Sequence, residues 1–269
     1  MDEEVFTLWI GKPNEVMTVS IQSWLMLGYK VTVFCDADNC ETIRELFCGY
    51  CTCGAIELRH HSIVPLDTSV KCIQAQSDIW RFTYLYMFGG TWLDADMFLL
   101  KKLPDMPVII SSEHTCQKGA YRTRDRDFVP NIGVLRLPKD SQLMKKTLDQ
   151  KISWDSKSRV NKFMLKFQKI VMKNQDYLNY VARPNDYCPV SWCNSKELYY
   201  KGALVDGKYG IKQYSIDNII KNAYGVHLWN NFTYNKHKID FDKVHPLSMW
   251  SHLVKYKPPL EDKSDDHLA

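Results

Sequence analysis

The chain has 269 residues, 45% hydrophobic and 25% charged, with a formal net charge of +4. That balance belongs to a globular α/β-sized chain and excludes a disordered or collagen-like one; the mild charge lacks the dense basic stripe of a nucleic-acid binder. No apolar run approaches the roughly 18 residues of a membrane span, and the acidic opening MDEEVFTLWIG does not read as a signal peptide. The expected chain is therefore cytoplasmic, or a catalytic fragment cut from an anchor.

In chain order, EVFTLWIG (residues 4–11) reads as a buried strand closed by a Gly-Lys-Pro turn. NEVMTVSIQSWLMLG places Val16, Val19, Ile21, Trp24 and Leu27 at helical spacing and stops at Gly28. YKVTVFCDA is a β-branched strand ending at Asp36. A short helix at residues 42–47, a cysteine-rich loop and a strand near AIELRH follow. The β-α-β-α-β order predicts a mostly parallel sheet with helices on both faces.

Residues 71–88 predict a helix ended by Gly89-Gly90. TWLDADMFLL reads as one strand, VIISSE as another, YRTRDRDFVP as a polar loop and NIGVLRLPK as a strand. Residues 140–180 are Lys-rich with apolar side chains at helical intervals, which predicts two helices forming a cap or insertion beside the sheet. The chain after Val181 is aromatic and irregular, and residues 259–269 read as a disordered tail. A single domain over residues 1–258 is expected.

Nine cysteines are present, and Cys40, Cys48, Cys51 and Cys53 lie close together. The Cys51-Thr-Cys53 spacing is too tight for a zinc knuckle and no pair of CxxC motifs occurs. Free thiols in a reducing compartment are the expectation.

The segment SDIWRFTYLYMFGGTWLDADMF (residues 77–98) is mostly apolar yet carries Asp78, Arg81, Asp94 and Asp96. Its helical part has apolar residues nearly all round, so the helix is buried. Asp78 and Arg81 are three apart and share a face, either as an internal pair or as two groups aimed at a polar ligand. In the strand, Trp92, Asp94 and Asp96 face one way. Two carboxylates roughly 6–7 Å apart along a strand in apolar surroundings call for a cation beside them, and hard oxygen ligands suit Mg²⁺ or Mn²⁺. On that spacing Asp96 ligates directly, while Asp94 acts through water or holds a ribose hydroxyl. Alone, D-x-D is weak. Preceded by S-D-x-x-R and Gly-Gly, it puts two polar pairs at the mouth of one α/β crevice, with the metal and arginine that a departing diphosphate requires.

This run resembles the DxD-containing sugar-binding region of family 32 glycosyltransferases, which include Och1-like, α1,4-glycosyltransferase and capsular polysaccharide enzymes. It is also similar to the glucosyltransferase domain of clostridial toxins. The resemblance implies a GT-A type fold, Rossmann-like, with a nucleotide-sugar donor, a Mn²⁺ (or Mg²⁺) cofactor, and transfer with retention to a glycan, glycolipid or glycoprotein acceptor. LWIG near the start is similar to the strand whose Trp stacks on the nucleotide base, which implies that role for Trp9 and leans toward UDP. VHLWNN near the end is similar to an H-x-W-N stretch, which implies His227 as a metal ligand with Trp229 and Asn230 beside it. By the same likeness Asp78 and Arg81 bind donor sugar and phosphates, and Asn131 opens a strand where an Asn contacts the sugar. Asp125 and Asp127 fall in a segment suited to sugar or acceptor contacts, although Arg122, Arg124 and Arg126 beside them make a solvated loop the simpler reading. Two other classes stay open: a non-catalytic binding module on a transferase scaffold, and a nucleotide-sugar hydrolase.

Overall fold

A computed structural model describes residues 3–67, 70, 72–115, 128–149, 162–202 and 215–258. The polar loop with Asp125 and Asp127, the junction at 150–161 and the tail at 259–269 lie outside the described residues.

The strands are β1 (Glu4–Trp9), β2 (Lys30–Cys35), β3 (Ile56–His60), β4 (Gly90–Leu93), β5 (Met97–Leu99), β6 (Ile109–His114), β7 (Phe128–Leu137) and β8 (Gly225–His227). Six of them form one sheet in the order β3-β2-β1-β4-β7-β6, and β5 pairs with β8 in a second, two-stranded sheet. β1, β2, β3 and β4 are parallel, whereas β7 runs antiparallel to both β4 and β6. β6 therefore points the same way as β4, and the large sheet has one reversed strand. This is a mostly parallel α/β architecture, as the β-α-β-α-β order predicted.

Helices α1 (Glu15–Met26), α2 (Ala37–Leu46), α3 (Cys48–Thr52) and α4 (Ile73–Phe88) link the first strands. Asn14 caps α1 by accepting from Met17 N–H, and Asp36 caps α2 by accepting from Asn39 N–H. Both ends thus satisfy a backbone donor that a helix start leaves open. The strand side chains alternate between two cores. Val5, Val31 and Val33 pack with Val16, Met17, Ile21 and Trp24 of α1. Phe6, Leu8, Phe34 and Trp92 pack on the other face with Trp80, Phe82 and Leu85 of α4.

Helices α5 (Gln142–Leu148) and α6 (Lys162–Met172) put Leu143, Met144, Phe163, Phe167 and Val171 into that second core. The segment expected as a cap or insertion beside the sheet is part of the sheet's own covering layer. Short helices α7 (Gln175–Leu178), α8 (Pro184–Tyr187), α9 (Glu197–Tyr200), α10 (Ile216–Asn222) and α11 (Met249–Lys255) follow. Among the described residues after Val181 they supply short helices where the sequence suggested irregularity.

The cysteine expectation changes. Cys35 and Cys40 form a disulfide across the end of β2 and the first turns of α2, and Cys193 is also disulfide-bonded. Cys48, Cys51 and Cys53 are free. Among the described residues the cysteines form no metal-holding group. Disulfides belong to oxidising compartments, so the thiol argument for a reducing one is withdrawn. Among the described residues no helix is long and apolar enough to cross a membrane.

α4 ends at Gly89, whose φ is +71°. A Cβ there would stand 2.5 Å from Lys139 N and 3.1 Å from the Pro138 carbonyl carbon. Both obstacles are backbone of the β7 exit, so the clash cannot be relieved by a rotamer. Gly89→Ala is expected to lower stability by more than the roughly 1–2 kcal/mol of a left-handed L-residue, measured by urea unfolding. An unchanged midpoint would show that this packing is not as tight as drawn.

Candidate functional site

β1, β4 and β6 end at the same edge of the sheet, and β7, being reversed, begins there. That edge therefore carries Trp9, Asp94, Glu113 and Asn131 together. It is the carboxyl edge at which open α/β sheets bind ligands.

TWLDADMFLL is not one strand. β4 stops at Leu93, the chain turns through Asp94-Ala95-Asp96, and Met97 N–H donates to Asp94 O at 2.8 Å. The turn follows from what lies on either side. Asp94 N–H still donates to Gly133 O of β7 at 2.7 Å, while Leu228 N–H donates to Asp96 O at 2.8 Å. From α1, Trp24 Nε1 donates to Met97 O at 2.7 Å and Ser23 Oγ accepts from Leu99 N–H at 2.9 Å. The outgoing piece, β5, is thereby pulled off the main sheet onto β8, with Met97 opposite His227.

The turn brings the two carboxylates closer than an extended strand would, so that Asp94 as well as Asp96 stands near His227. One ligand atom each from Asp94, Asp96 and His227 lies within 4.8 Å of the others. His227 Nε2 is 3.1 Å from Asp96 Oδ1 and 3.7 Å from Asp94 Oδ2. Two carboxylates and an imidazole are a donor set for Mn²⁺ or another borderline-hard divalent ion. Each ligand is oriented from behind, as metal ligands need. Asp94 Oδ1 accepts from Arg81 Nη2 at 2.8 Å and from Trp92 Nε1 at 2.9 Å. Asp96 Oδ2 accepts from Asn230 N–H at 2.6 Å. His227 Nδ1 faces the Cys188 thiol at 3.8 Å, and the ring stacks on Trp229 at 3.9 Å.

Trp229 has φ +55°, a conformation that costs a bulky L-residue on the order of 1–3 kcal/mol. The buried indole holds it there, donating from Nε1 to Val190 O at 2.8 Å. The reversal lets His227 and the Asn230 N–H meet the same carboxylate from two sides. Trp229, expected as a donor contact, is thus first a scaffold for His227, though it also lines a cavity.

Arg81 is buried among acids. Nη2 lies 3.4 Å from Asp78 and 2.8 Å from Asp94, Nη1 donates to Ile132 O at 2.7 Å, and the guanidinium sits 4.3 Å from the Trp92 ring centre. Its Nε finds no acceptor among the described residues. The pair is thus an internal ion pair, the first of the two readings, with this one guanidinium donor lacking an acceptor among the described residues.

Two cavities meet at this pair. One, of about 400 Å³, is lined by Trp9, Ser77, Asp78, Arg81, Asp94, Asp96 and Asn230 among others. Trp9 is half-buried, and its indole N–H has no acceptor among the described residues. The other, of about 300 Å³, includes Asp78, Arg81, Asp94, Glu113, Asn131 and Trp229 in its lining. Asp78, Arg81 and Asp94 belong to both walls. Asn131 Oδ1 accepts from Gly133 N–H at 2.6 Å. Gly133 has no Cβ for a reason: one would stand 2.9 Å from Asn131 Oδ1 and 3.3 Å from Asp94 Oδ2.

All the sequence-derived site residues that are described gather here. Missed were Glu113, Gln168 and Cys188. Glu113 had one legible sign, a charge at the end of an apolar strand, but nothing in the sequence says which edge that strand reaches.

The charges follow from burial and neighbours. Burial pushes Asp78 up to about 7, against the pull of Arg81. Burial also raises Asp94, opposed by Arg81. For Asp96 burial is outweighed by His227 and by the Asn230 N–H, and the carboxyl lies below its usual range. Burial disfavours the His227 cation, but Asp96 overrides it and holds the imidazole well above its ordinary value. Without metal, Asp96 and His227 thus form an ion pair.

Two measurements test these statements. A metal ion that uses His227 Nε2 must displace its proton. Mn²⁺ titrated in two buffers of different ionisation enthalpy at pH 7 is expected to release about one proton, with affinity rising with pH; zero release would remove His227 from the ligand set. For Asp78, the folded value lies above the unfolded one, so the native state holds more protons between about pH 4 and 7 and loses stability as pH rises through that window. Asp78→Asn in EDTA is expected to melt no lower than the unmutated chain at pH 7.5 and to show a flatter decline from pH 5 to 7.5. A large drop at every pH would make the Asp78–Arg81 pair a net stabiliser.

Residues 28–115 match the family described as "Glycosyltransferase sugar-binding region containing DXD motif". Among solved structures the chain is similar to PaToxG glycosyltransferase, at 16% identity, covering 66% of this chain and 73% of that one, with a TM-score of 0.48. It is similar to the glycosyltransferase GlyE of Streptococcus pneumoniae TIGR4 in its apo form, at 12% identity, 69% and 46% coverage and a TM-score of 0.43. The UDP-bound glycosyltransferase domain from the YGT toxin matches at 12% identity, 55% and 61% coverage and a TM-score of 0.36. No curated protein sequence matches the chain.

Proposed function

We propose, from the match of residues 28–115 to a glycosyltransferase sugar-binding region with a DXD motif, a metal-dependent transfer of a sugar from a nucleoside diphosphate donor, UDP favoured, to a hydroxyl acceptor with retention of configuration. The observation that carries this reading is the convergence of Asp94, Asp96 and His227 on the rim where two cavities share Asp78, Arg81 and Asp94.

The nucleotide occupies the larger cavity, its base against the Trp9 ring and its ribose near Asp94. The residues that would hold the divalent ion are Asp94, Asp96 and His227, and when bound it would supply positive charge beside the departing diphosphate. Arg81 supplies more from the other side. Its Nε is a donor without an acceptor among the described residues, and its guanidinium is held by Ile132 O and Trp92, so it need not reorganise as charge develops. Asp78 fixes Arg81 and accepts from a sugar hydroxyl, and Asn131 lines the same smaller cavity. In the transfer, the bond from the anomeric carbon to the phosphate oxygen breaks and a bond to the acceptor oxygen forms on the same face. The acceptor proton passes to the departing phosphate oxygen. This accounts for the site without a separate nucleophile and base; trapping a covalent glycosyl-enzyme would contradict it.

The test is Mn²⁺-dependent release of UDP from UDP-glucose, UDP-galactose and UDP-N-acetylglucosamine, with and without candidate acceptors. The unmutated chain is expected to turn over at least one. Asp96→Asn is expected to cut the rate by about 10²-fold or more, and Arg81→Lys by about 10-fold or more because a lysine cannot keep the planar multi-donor geometry. A rate indifferent to EDTA would end the metal-dependent reading, and product that is always free sugar, whatever acceptor is added, would make the chain a hydrolase.

A further inference from the structure

Glu113 is an acid that the mechanism above leaves without a task. It lies near the end of β6, is only 7% exposed, and lines the smaller cavity. A carboxyl in such a place costs free energy unless something there uses it. The Asn131 side chain lies beside it. Asn131 Oδ1 accepts from Gly133 N–H at 2.6 Å, which leaves the amide nitrogen as the end of that side chain able to donate. A carboxyl group keeps acceptor positions in either protonation state, so Glu113 can meet hydroxyl groups that enter the cavity.

The place is specific. Gly133 separates Asn131 from Asp94 so closely that a single Cβ would touch both. Glu113 is therefore two contacts away from the acidic pair, by way of Asn131. The cavity opens from the wall formed by Asp78, Arg81 and Asp94, which it shares with the larger cavity. Whatever crosses that wall from the nucleotide side is the group attached to the diphosphate. The rest of the lining includes Val129, Ile132, Met164, Trp229 and Phe232. A mostly apolar wall with a few fixed polar groups is how a pocket orients a polyol.

We propose that Glu113 is the donor-sugar selector: a buried carboxyl group that exchanges hydrogen bonds with hydroxyl groups of the transferred sugar and decides which nucleotide sugar is used. This rests on the function proposed above and goes beyond it by naming the residue and the moiety read. A site built around a hydrogen bond to one hydroxyl rejects the analogue that lacks it, because the buried polar group is then left unpaired.

The experiment compares the unmutated chain with Glu113→Gln and Glu113→Ala, all saturated with Mn²⁺. Binding of UDP alone is measured by calorimetry, and turnover is measured for UDP-glucose, UDP-galactose, UDP-N-acetylglucosamine and monodeoxy forms of the best of them. UDP affinity is expected to stay within about twofold in both variants, which also shows that they fold. With the best donor, kcat/KM is expected to fall at least about 10-fold, and ranking among the three sugars to compress. One deoxy donor is expected to be poor for the unmutated chain and no poorer for Glu113→Ala, the non-additivity of two partners in one contact. If UDP binds and both variants keep the rates and sugar ranking of the unmutated chain, this assignment is overturned and the function stands. If the unmutated chain does not bind UDP with Mn²⁺, the function itself falls and takes the selector with it.

Discussion

Crowding of buried acid controls this site. Asp78, Asp94, Asp96 and Glu113 line two adjoining cavities at one sheet edge, and against them stand Arg81 and His227. Like charges this close, away from water, cannot all ionise without compensation. The result is a division of labour. Asp96 stays charged beside His227, whereas burial lifts Asp78, Asp94 and Glu113 toward neutrality. A divalent cation is the group that would relieve this strain most directly.

The supports are arranged to keep those acids from escaping to solvent. Arg81 is pinned by a backbone carbonyl and an indole face, Asp96 by a backbone N–H, and His227 by a thiol and the Trp229 ring. Trp229 accepts a left-handed backbone to make this possible. Local strain at a ligand site persists when surrounding packing over-determines it, and the buried indole hydrogen bond to Val190 is that packing. Donors fixed in this way need not reorganise when they meet a charged group.

The family match covers residues 28–115, so it contains Asp78, Arg81, Asp94, Asp96 and Glu113 but not Asn131 or His227. His227, which completes the Asp-Asp-His group, comes from β8, outside the matched region. The recognisable motif is thus one wall, and the chain after it builds the other.

Much was written in the sequence itself. Alternating and helical apolar periods gave β1, α1, β2 and α4, since each buries one face and its period reports the backbone repeat. The charges of residues 77–98 announced a ligand site because nothing in an apolar setting tolerates them idly. The tertiary structure alone decided three things. The break between β4 and β5 depends on hydrogen bonds from α1 and Leu228 to the segment's far side. The meeting of His227 with Asp96, 131 positions apart, depends on the pairing of β5 with β8. The arrival of Glu113 at the same edge depends on β7 being the reversed strand. All three are long-range pairings, and a local pattern can say that a strand exists while carrying no information about its neighbour or its direction.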